Sequence, residues 1–499
     1  MKFRVINIVL SVVLILSIAS LSVFLLKKSE SNKALDMKSF LDSETYINTP
    51  EITGIGDPYV FRDGDKYYMT ATSSGVSFNL WSTTDFKKWK NEGPIFAQDS
   101  GVKWTAGELW GPEIYKKDSK YYLFFSAREK TTNSPRIGMA VSDKITGPYK
   151  DELGKPLFDF GYAAIDNHLF KDDDGKYYLY FSRDSSENIV DGRHESHIYV
   201  ASISDDWTKL TSEPKKLISP EQDWELQSGP EWLWNEGPWM HKNNGKYYLF
   251  FSANYFAKKE YSIGYAVSDS PTGPFVKYEK NPILFTEADE LSGAGNNSIF
   301  KSPDGKELFT AYHMHTIPSI GGGDRYLNID RIGFRKDGTV YVNGPTVTQQ
   351  SLPSGADSGG LINIAPLAKI TATASSNGYL PSALNDGEIG IYPKFEKYEW
   401  KTDKDLKGTS ISLTWDKTHE VRAIYIYQSA KVDRKFKSVK ISFDNGKTVE
   451  KVKLSMTNGE VAIVETNGTQ TKEIKIYVDE LGYSQKELGL SEIMVFAEK

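Results

Sequence analysis

The chain has no cysteine among its 499 residues. That excludes disulfides, thiolate zinc sites, a cysteine nucleophile and a lipid-modified N-terminal cysteine. It also lacks a large excess of either charge: 60 Lys and Arg face 66 Asp and Glu, for a net charge of −6. Both signs are mixed throughout, and no basic patch supplies the positive footprint that nucleic acid requires. No nucleic-acid partner is therefore expected. Helical periodicity is scarce as well. One long apolar run stands at the N-terminus, where Lys2 and Arg4 precede an uncharged stretch from Val5 to Leu26 that Lys27 and Lys28 close. About 20 apolar residues span a bilayer, and a signal-peptide core is usually shorter. Residues 1–28 thus read as either an N-terminal membrane anchor or a signal peptide, and 29–43 as a polar tether. Either reading places the remainder outside the cytoplasm, secreted or held at the outer face of the membrane. Membrane contact is expected only through this segment.

What the chain has in abundance is aromatic residues, 13% of the total, with 29 Tyr, 25 Phe and 11 Trp. They favour strands and recur in a repeated phrase. Its copies are DPYVFRDGDKYYMTATS from Asp57, WGPEIYKKDSKYYLFFSA from Trp110, DNHLFKDDDGKYYLYFS from Asp166 and EGPWMHKNNGKYYLFFSA from Glu236. A degenerate fifth, NNSIFKSPDGKELFTAYH, begins at Asn296. In most copies an Asp-Gly or Asn-Gly turn separates a first strand from a Tyr-Tyr strand, a strong hairpin signal. A second hairpin half also recurs, as in RIGMAVSDKITGPYK and SIGYAVSDSPTGPFVK. Each unit therefore carries about four strands, and units return every ~54–70 residues, the scale of a propeller with loop insertions. The expected fold is all-β: a five-bladed β-propeller over 44–352, a Gly/Ser/Pro linker over 353–365, and a β-sandwich over 366–499 with a hairpin turn at Asn445-Gly446. The longest insertion, 184–231, is a candidate wall for a ligand site.

Three copies open on an acid: Asp57, Asp166 and Glu236. If the repeated phrase opens with the innermost strand of each blade, these carboxylates meet at one end of the central channel. Singly, each is as well explained by turn chemistry. Jointly, they suit chemistry that divides labour between an ionised and a protonated carboxyl group. A third acid nearby raises the pKa of the protonated one by like-charge repulsion.

The phrases GDPYVFRDGDKYYMTAT, AIDNHLFKDDDGKYYLYFS and NEGPWMHKNNGKYYLFFSAN resemble the three signature segments of glycoside hydrolase family 43, with order and spacing intact over about 50–350. The resemblance implies a five-bladed propeller that hydrolyses arabinofuranosides, arabinan or xylosides of plant cell-wall polysaccharide with inversion. It implies Asp57 as general base, Glu236 as general acid and Asp166 as the carboxylate that tunes and orients the acid. It also points to Arg325 and His313 as substrate contacts. Trp110 and Trp239 are candidate aromatic walls; core packing, ion pairing or a structural hydrogen bond are the competing readings for these four residues.

Two departures from the family pattern stand out. Asp166-Asn167 replaces the more usual Asp-Pro. Gly295-Asn296 replaces a Gly-His whose His often helps hold a central calcium. No cofactor is expected to be required, and the identity of any ion at the propeller centre is open. Within the implied class an exo-acting α-L-arabinofuranosidase is favoured, with β-xylosidase and endo-α-1,5-arabinanase as alternatives. From other classes, a non-catalytic glycan-binding propeller and a surface adhesin compete. The C-terminal region resembles discoidin-like, galactose-binding-like jelly-roll domains through KITATASSNGYLPSALNDG, the strand ISLTW and the segment LSEIMVF. That resemblance implies a carbohydrate-binding or a purely structural module.

Overall fold

A computed structural model describes residues 43–98, 102–286, 291–356, 360–444, 447–482 and 485–498. The expected N-terminal anchor or signal and most of the tether lie outside these residues, as does the Asn445-Gly446 turn. No helix among the described residues is long and apolar enough to cross a membrane.

The repeated phrase folds as its local chemistry dictates. Its first half is a strand in each copy: Gly56–Asp63, Trp110–Lys117, Ala164–Lys171, Trp232–Asn243 and Gly295–Lys301. Its second half is the antiparallel partner that carries the Tyr-Tyr pair or its equivalent. Asn244 and Gly245 both take positive φ, 47° and 77°, the requirement of a two-residue type I′ hairpin. Third and fourth strands add outward, giving four-stranded sheets from the first and fifth copies and a three-stranded sheet from the second. The third and fourth copies are joined in one nine-stranded sheet, because His194–Ser196 pairs in parallel with Trp232–Trp234. The 184–231 insertion is therefore not one loop; it contains the Arg193–Ile203 and Lys215–Ile218 strands of the third sheet.

Apolar side chains from consecutive sheets interleave. One cluster joins first and second sheets through Phe78, Phe96 and Phe125; others join second to third, third to fourth and fourth to fifth. A further cluster of Tyr67, Phe86, Phe300 and Phe309 joins the fifth sheet back to the first. Each fully buried ring of this kind contributes about 1.5–3 kcal/mol relative to exposure. The chain ends of the region are tied by antiparallel pairing of Thr45–Tyr46 with Gln350–Ser351.

Hydrogen-bond register corrects one expectation. Each first strand carries a β-bulge, at 57–58, 111–112, 166–167, 237–238 and 296–297. Asp57, Asp166 and Asn296 are the first bulge residues, all with φ near +50°. Glu236 and Trp110 stand one residue earlier, in register with Gly56, Ile165 and Gly295. The three acids do not share one repeat position: alignment on the bulge Pro or Asn, rather than on the acids, recovers the true equivalence.

Residues 361–498 form an eight-stranded sheet built on the long Ser410–Gln428, Val461–Glu480 and Leu488–Glu498 strands. Its core holds Trp400, Leu413, Ile424, Ile474 and Ile493. Leu361–Asn363 pairs with the last strand, so the end of the expected linker belongs to this sheet: its apolar Leu361 and Ile362 follow the Gly/Ser-rich stretch.

Candidate active site

The five bulges are stitched into a closed ring. His313 Nδ1 accepts the Asp57 N–H (3.1 Å), Thr72 Oγ1 the Gly111 N–H (2.8 Å), Ser126 Oγ the Asp166 N–H (3.0 Å) and Ser252 Oγ the Asn296 N–H (2.8 Å). In each case the acceptor lies on the second strand of the preceding copy, paired with the residue just before that copy's own bulge. Ser182 holds that place in the third copy, yet the Gly237 N–H goes instead to Asp166 Oδ2 (3.1 Å), and Ser182 Oγ is buried without a partner. Asp166 has thus taken over a ring bond, which fixes its carboxylate beside the residue that follows Glu236. The sequence reading missed Thr72, Ser126 and Ser252. Their signal is plain in retrospect: a hydroxyl stands near the end of each of the first four Tyr-Tyr strands, opposite the residue before the bulge, and His313 holds that place in the fifth.

The three acids sit in contrasting surroundings. Three donors converge on Asp57: Thr72 Oγ1 to Oδ2 (2.5 Å), Asn296 Nδ2 to Oδ1 (3.0 Å) and Arg325 Nη1 to Oδ1 (3.4 Å). Thr72 already accepts the Gly111 N–H, so its own proton points to Asp57. Glu236 is buried and receives one hydrogen bond, from the Tyr261 hydroxyl to Oε1 (2.9 Å). Burial first, then the Asp166 charge, push its carboxyl well above the usual range, and the Tyr261 bond offsets this only partly. Burial and the Asp57 charge also raise Asp166, against the Gly237 N–H. Asp166 is half-buried as a residue whereas Glu236 is 8% exposed, so desolvation weighs more heavily on Glu236. Two adjacent carboxyls of this kind cannot both ionise cheaply.

Two glycines in the Glu236 register make this arrangement possible. A Cβ on Gly56 would lie 2.2 Å from the Arg325 guanidinium carbon, and one on Gly295 would lie 1.9 Å from the Tyr261 ring. Each missing side chain admits the residue that binds an acid.

The remaining candidates are dispersed. Arg325 lies against Asp57 and over the Phe256 ring (4.7 Å). His313 is fully buried behind Asp57, stacked on Tyr261 (5.5 Å). Burial and Arg325 hold its pKa well below the ordinary value, so it is neutral, and its 3.7 Å approach to Asp57 is not an ion pair. With Nδ1 accepting from the backbone, the ring proton is on Nε2, which has no partner among the described residues. That placement makes His313 a brace for Asp57 rather than an exposed substrate contact. Trp110 is half-buried at the position equivalent to Glu236. Trp239 is placed elsewhere: three residues beyond the acid and past the bulge, it packs on His168 (4.3 Å) and Tyr59 (5.8 Å) and lines a separate cavity of about 650 Å³ with Arg62, Lys171 and Lys301.

Beneath the acids the bulges enclose a cavity of about 20 Å³ lined by Asp57, Asp166, Glu113, Asn167 and Asn297, room for about one water-sized occupant. Both side-chain polar atoms of Asn167 and the Oδ1 of Asn297 are buried without partners. Their oxygens suit a hard cation, but calcium takes six to eight oxygen ligands. Glu113, the next donor, is engaged by His168 and Tyr115. No group of three or more His, Cys, Asp or Glu among the described residues is arranged to hold a metal.

Residues 49–340 match the family "Glycosyl hydrolases family 43", and 363–496 match "Domain of unknown function (DUF7402)". A beta-D-galactofuranosidase of Aspergillus niger is 30% identical over 338 residues, 64% of this chain and 91% of that protein. A xylosidase/arabinosidase of Bacteroides ovatus is 32% identical over 237 residues, 44% of this chain and 66% of its own length. Among solved structures, a thermostable family-43 glycoside hydrolase superposes with a TM-score of 0.60 at 43% identity, covering 62% of this chain and all of that one. An endo-1,4-beta-xylanase from Bacteroides thetaiotaomicron superposes with a TM-score of 0.52 at 35% identity, over 61% of this chain and 98% of that one. The chain belongs to glycosyl hydrolases family 43. It is a glycosidase, and the acids described above lie within the matched region.

Proposed function

We propose that the protein is an inverting glycosidase of arabinose- or xylose-containing plant polysaccharides, first of all an exo-acting α-L-arabinofuranosidase, with Asp57 as base, Glu236 as acid and Asp166 as the carboxylate that keeps the acid protonated. The supporting observation is the contrast between the first two: Asp57 faces three donors, and Glu236 is buried beside a second carboxyl. In the reaction Asp57 takes a proton from water as its oxygen attacks the anomeric carbon. The glycosidic C–O bond breaks as Glu236 gives its proton to the leaving oxygen, and the anomer is inverted. Inversion needs the two carboxyls about 6.5–9.5 Å apart, to admit the water. His313, Asn296 and Thr72 hold the base; Tyr261 holds the acid.

The cycle of inter-sheet clusters and bulge hydrogen bonds supports reading the five repeats as blades of a propeller. The 361–498 sheet reads as a galactose-binding-like sandwich that serves as a glycan-binding or bracing module. No cofactor is assigned. An ion on the axis would be held by Asn167 and Asn297, with water supplying its other ligands. The apolar N-terminus supports placement outside the cell, secreted or anchored.

The test separates acid from base by leaving group. A 4-nitrophenyl leaving group needs little protonation, whereas a sugar needs it fully. Glu236→Gln should lose about 10²–10⁴-fold on arabino- or xylo-oligosaccharides and much less on the 4-nitrophenyl glycosides. Asp57→Asn should lose comparably on both. The aryl panel includes α-L-arabinofuranoside, β-D-xyloside and, given the Aspergillus niger relative, β-D-galactofuranoside. Equal turnover by Glu236→Gln and wild type on oligosaccharides, or first release of the retained anomer by NMR, overturns the assignment.

A further inference from the structure

Trp232, Trp234 and Glu236 alternate along one strand, so their side chains share a face. At about 3.3 Å per residue, Trp234 stands roughly 7 Å and Trp232 roughly 13 Å from the acid. The indoles are 6.1 Å apart with planes 18° apart. His194, paired with Trp232 across the parallel strands, stacks on it at 3.8 Å and 7°. Trp234 thus lies near-parallel to Trp232 on the same face of the strand. His194 covers one face of Trp232. On the other side the neighbouring strand pairs only from Asn235 onward; beyond it the chain brings Tyr255 against Trp234, while Trp232 stays 38% exposed.

The aromatic row continues toward the base. Trp234 meets Tyr255 at 5.2 Å, Tyr255 is 39% exposed and meets Phe256 at 4.8 Å, and Arg325 bridges Phe256 to Asp57. The row is firmly mounted. His194 Nδ1 lies 2.8 Å from the Ser185 carbonyl, and Asn235, between Trp234 and the acid, is held by the buried Glu225–Lys277 pair. Exposed rings are costly in water unless something covers them. Rings mounted rigidly at intervals comparable to one sugar residue suit the flat C–H faces of a carbohydrate chain.

We propose that Trp232 and Trp234 form a binding track for a linear pentose chain on the leaving-group side of the scissile bond, so that the protein recognises at least two sugar units beyond the one it cleaves. The side follows from the acid, which protonates the leaving oxygen and stands on the same strand; this part rests on Glu236 being that acid. The track deepens the proposed function by making the polymeric leaving group, and not only the released sugar, part of what is recognised.

Calorimetric titration of the full chain carrying Glu236→Gln, with β-1,4-xylo-oligosaccharides and α-1,5-arabino-oligosaccharides of one to six units, tests this. Affinity for one of the two series should rise with length up to three or four units, by about tenfold per occupied ring. In the Trp232→Ala background the last step of that rise should vanish, and Trp232→Phe should restore part of it. Thermal unfolding of both variants near the parent value establishes that they are folded. Affinity independent of length in both series, or an undiminished rise in folded Trp232→Ala, overturns the track. Turnover of the oligosaccharides by the Glu236→Gln protein would instead remove Glu236 as the acid; the length-dependent affinity measured on product-length chains would still stand or fall by Trp232.

Discussion

At the scale of single residues, the site turns on how one carboxyl is kept protonated beside another. Burial raises the Glu236 pKa most, and the Asp166 charge comes next. Asp166→Asn removes that charge, while its amide oxygen can still accept the Gly237 N–H. Loss of a negative neighbour lowers the pKa of an acid, so Glu236 should ionise at lower pH. The high-pH limb of kcat/KM, which reports the acid in the free enzyme, should move acidward by about one unit. The low-pH limb should move less. A pH–rate profile of the variant checks both limbs; an unmoved high-pH limb would show that Asp166 does not tune the acid. Much of this was legible in the sequence. The acids stand in phrases that resemble a family's signature segments, and Asn296 was visible as a departure. Tyr261 was not legible, because it comes from the loop just ahead of the Ser262–Ser268 strand and reaches Glu236 only where Gly295 leaves space.

At the scale of the element, the repeated hairpin was readable because Tyr-Tyr alternation and Asp-Gly or Asn-Gly turns are local chemistry. The offset between the acids was obscured because a bulge adds a residue without disturbing the flanking pattern. Asp57 and Glu236 look alike as openings of a phrase, yet one is in the bulge and the other precedes it. The bulge ring makes a prediction of its own. Ser126 and Ser252 each accept a backbone N–H from the next bulge, and truncation to Ala leaves that group without an acceptor at about 1–3 kcal/mol. Ser182 is as buried but has no partner, because Asp166 took its donor. Ser182→Ala should therefore be close to neutral or stabilising. Denaturant midpoints of the three variants decide the point, and equal losses at all three positions would contradict the ring.

At the scale of the whole molecule, the fifth sheet and the 361–498 unit are joined through a buried ion pair. Arg335 donates from Nε to Glu388 Oε2 (2.7 Å) and from Nη2 to Oε1, with its guanidinium 3.9 Å from the Tyr398 ring. Around this contact Tyr392 stacks on Phe285 at 4.2 Å. The pair does not face a neutral environment. The fully buried Glu492 lies close by, and burial raises it well above the carboxylate range. Glu388 too is raised, since burial outweighs Arg335, while the same contact raises Arg335. The two partners' shifts thus differ on whether the pair is a net gain, and desolvation is the stronger argument: such pairs add little over an apolar replacement, but breaking one leaves a charge stranded. Arg335→Ala should then cost about 3–5 kcal/mol at neutral pH, and Arg335→Met with Glu388→Met should recover most of it. The loss should also depend on pH with a definite sign. Acids whose folded pKa lies above the unfolded value hold extra protons when folded, so stability falls as pH rises between the two values. Removing Arg335 raises the folded values further, so the variant's deficit should grow from about pH 4 to pH 8 and shrink as the acids protonate. Chemical denaturation of wild type, single and double variants across that range measures it. A deficit that stays constant with pH would mean that Arg335 acts through its stacking on Tyr398 rather than by neutralising the buried acids.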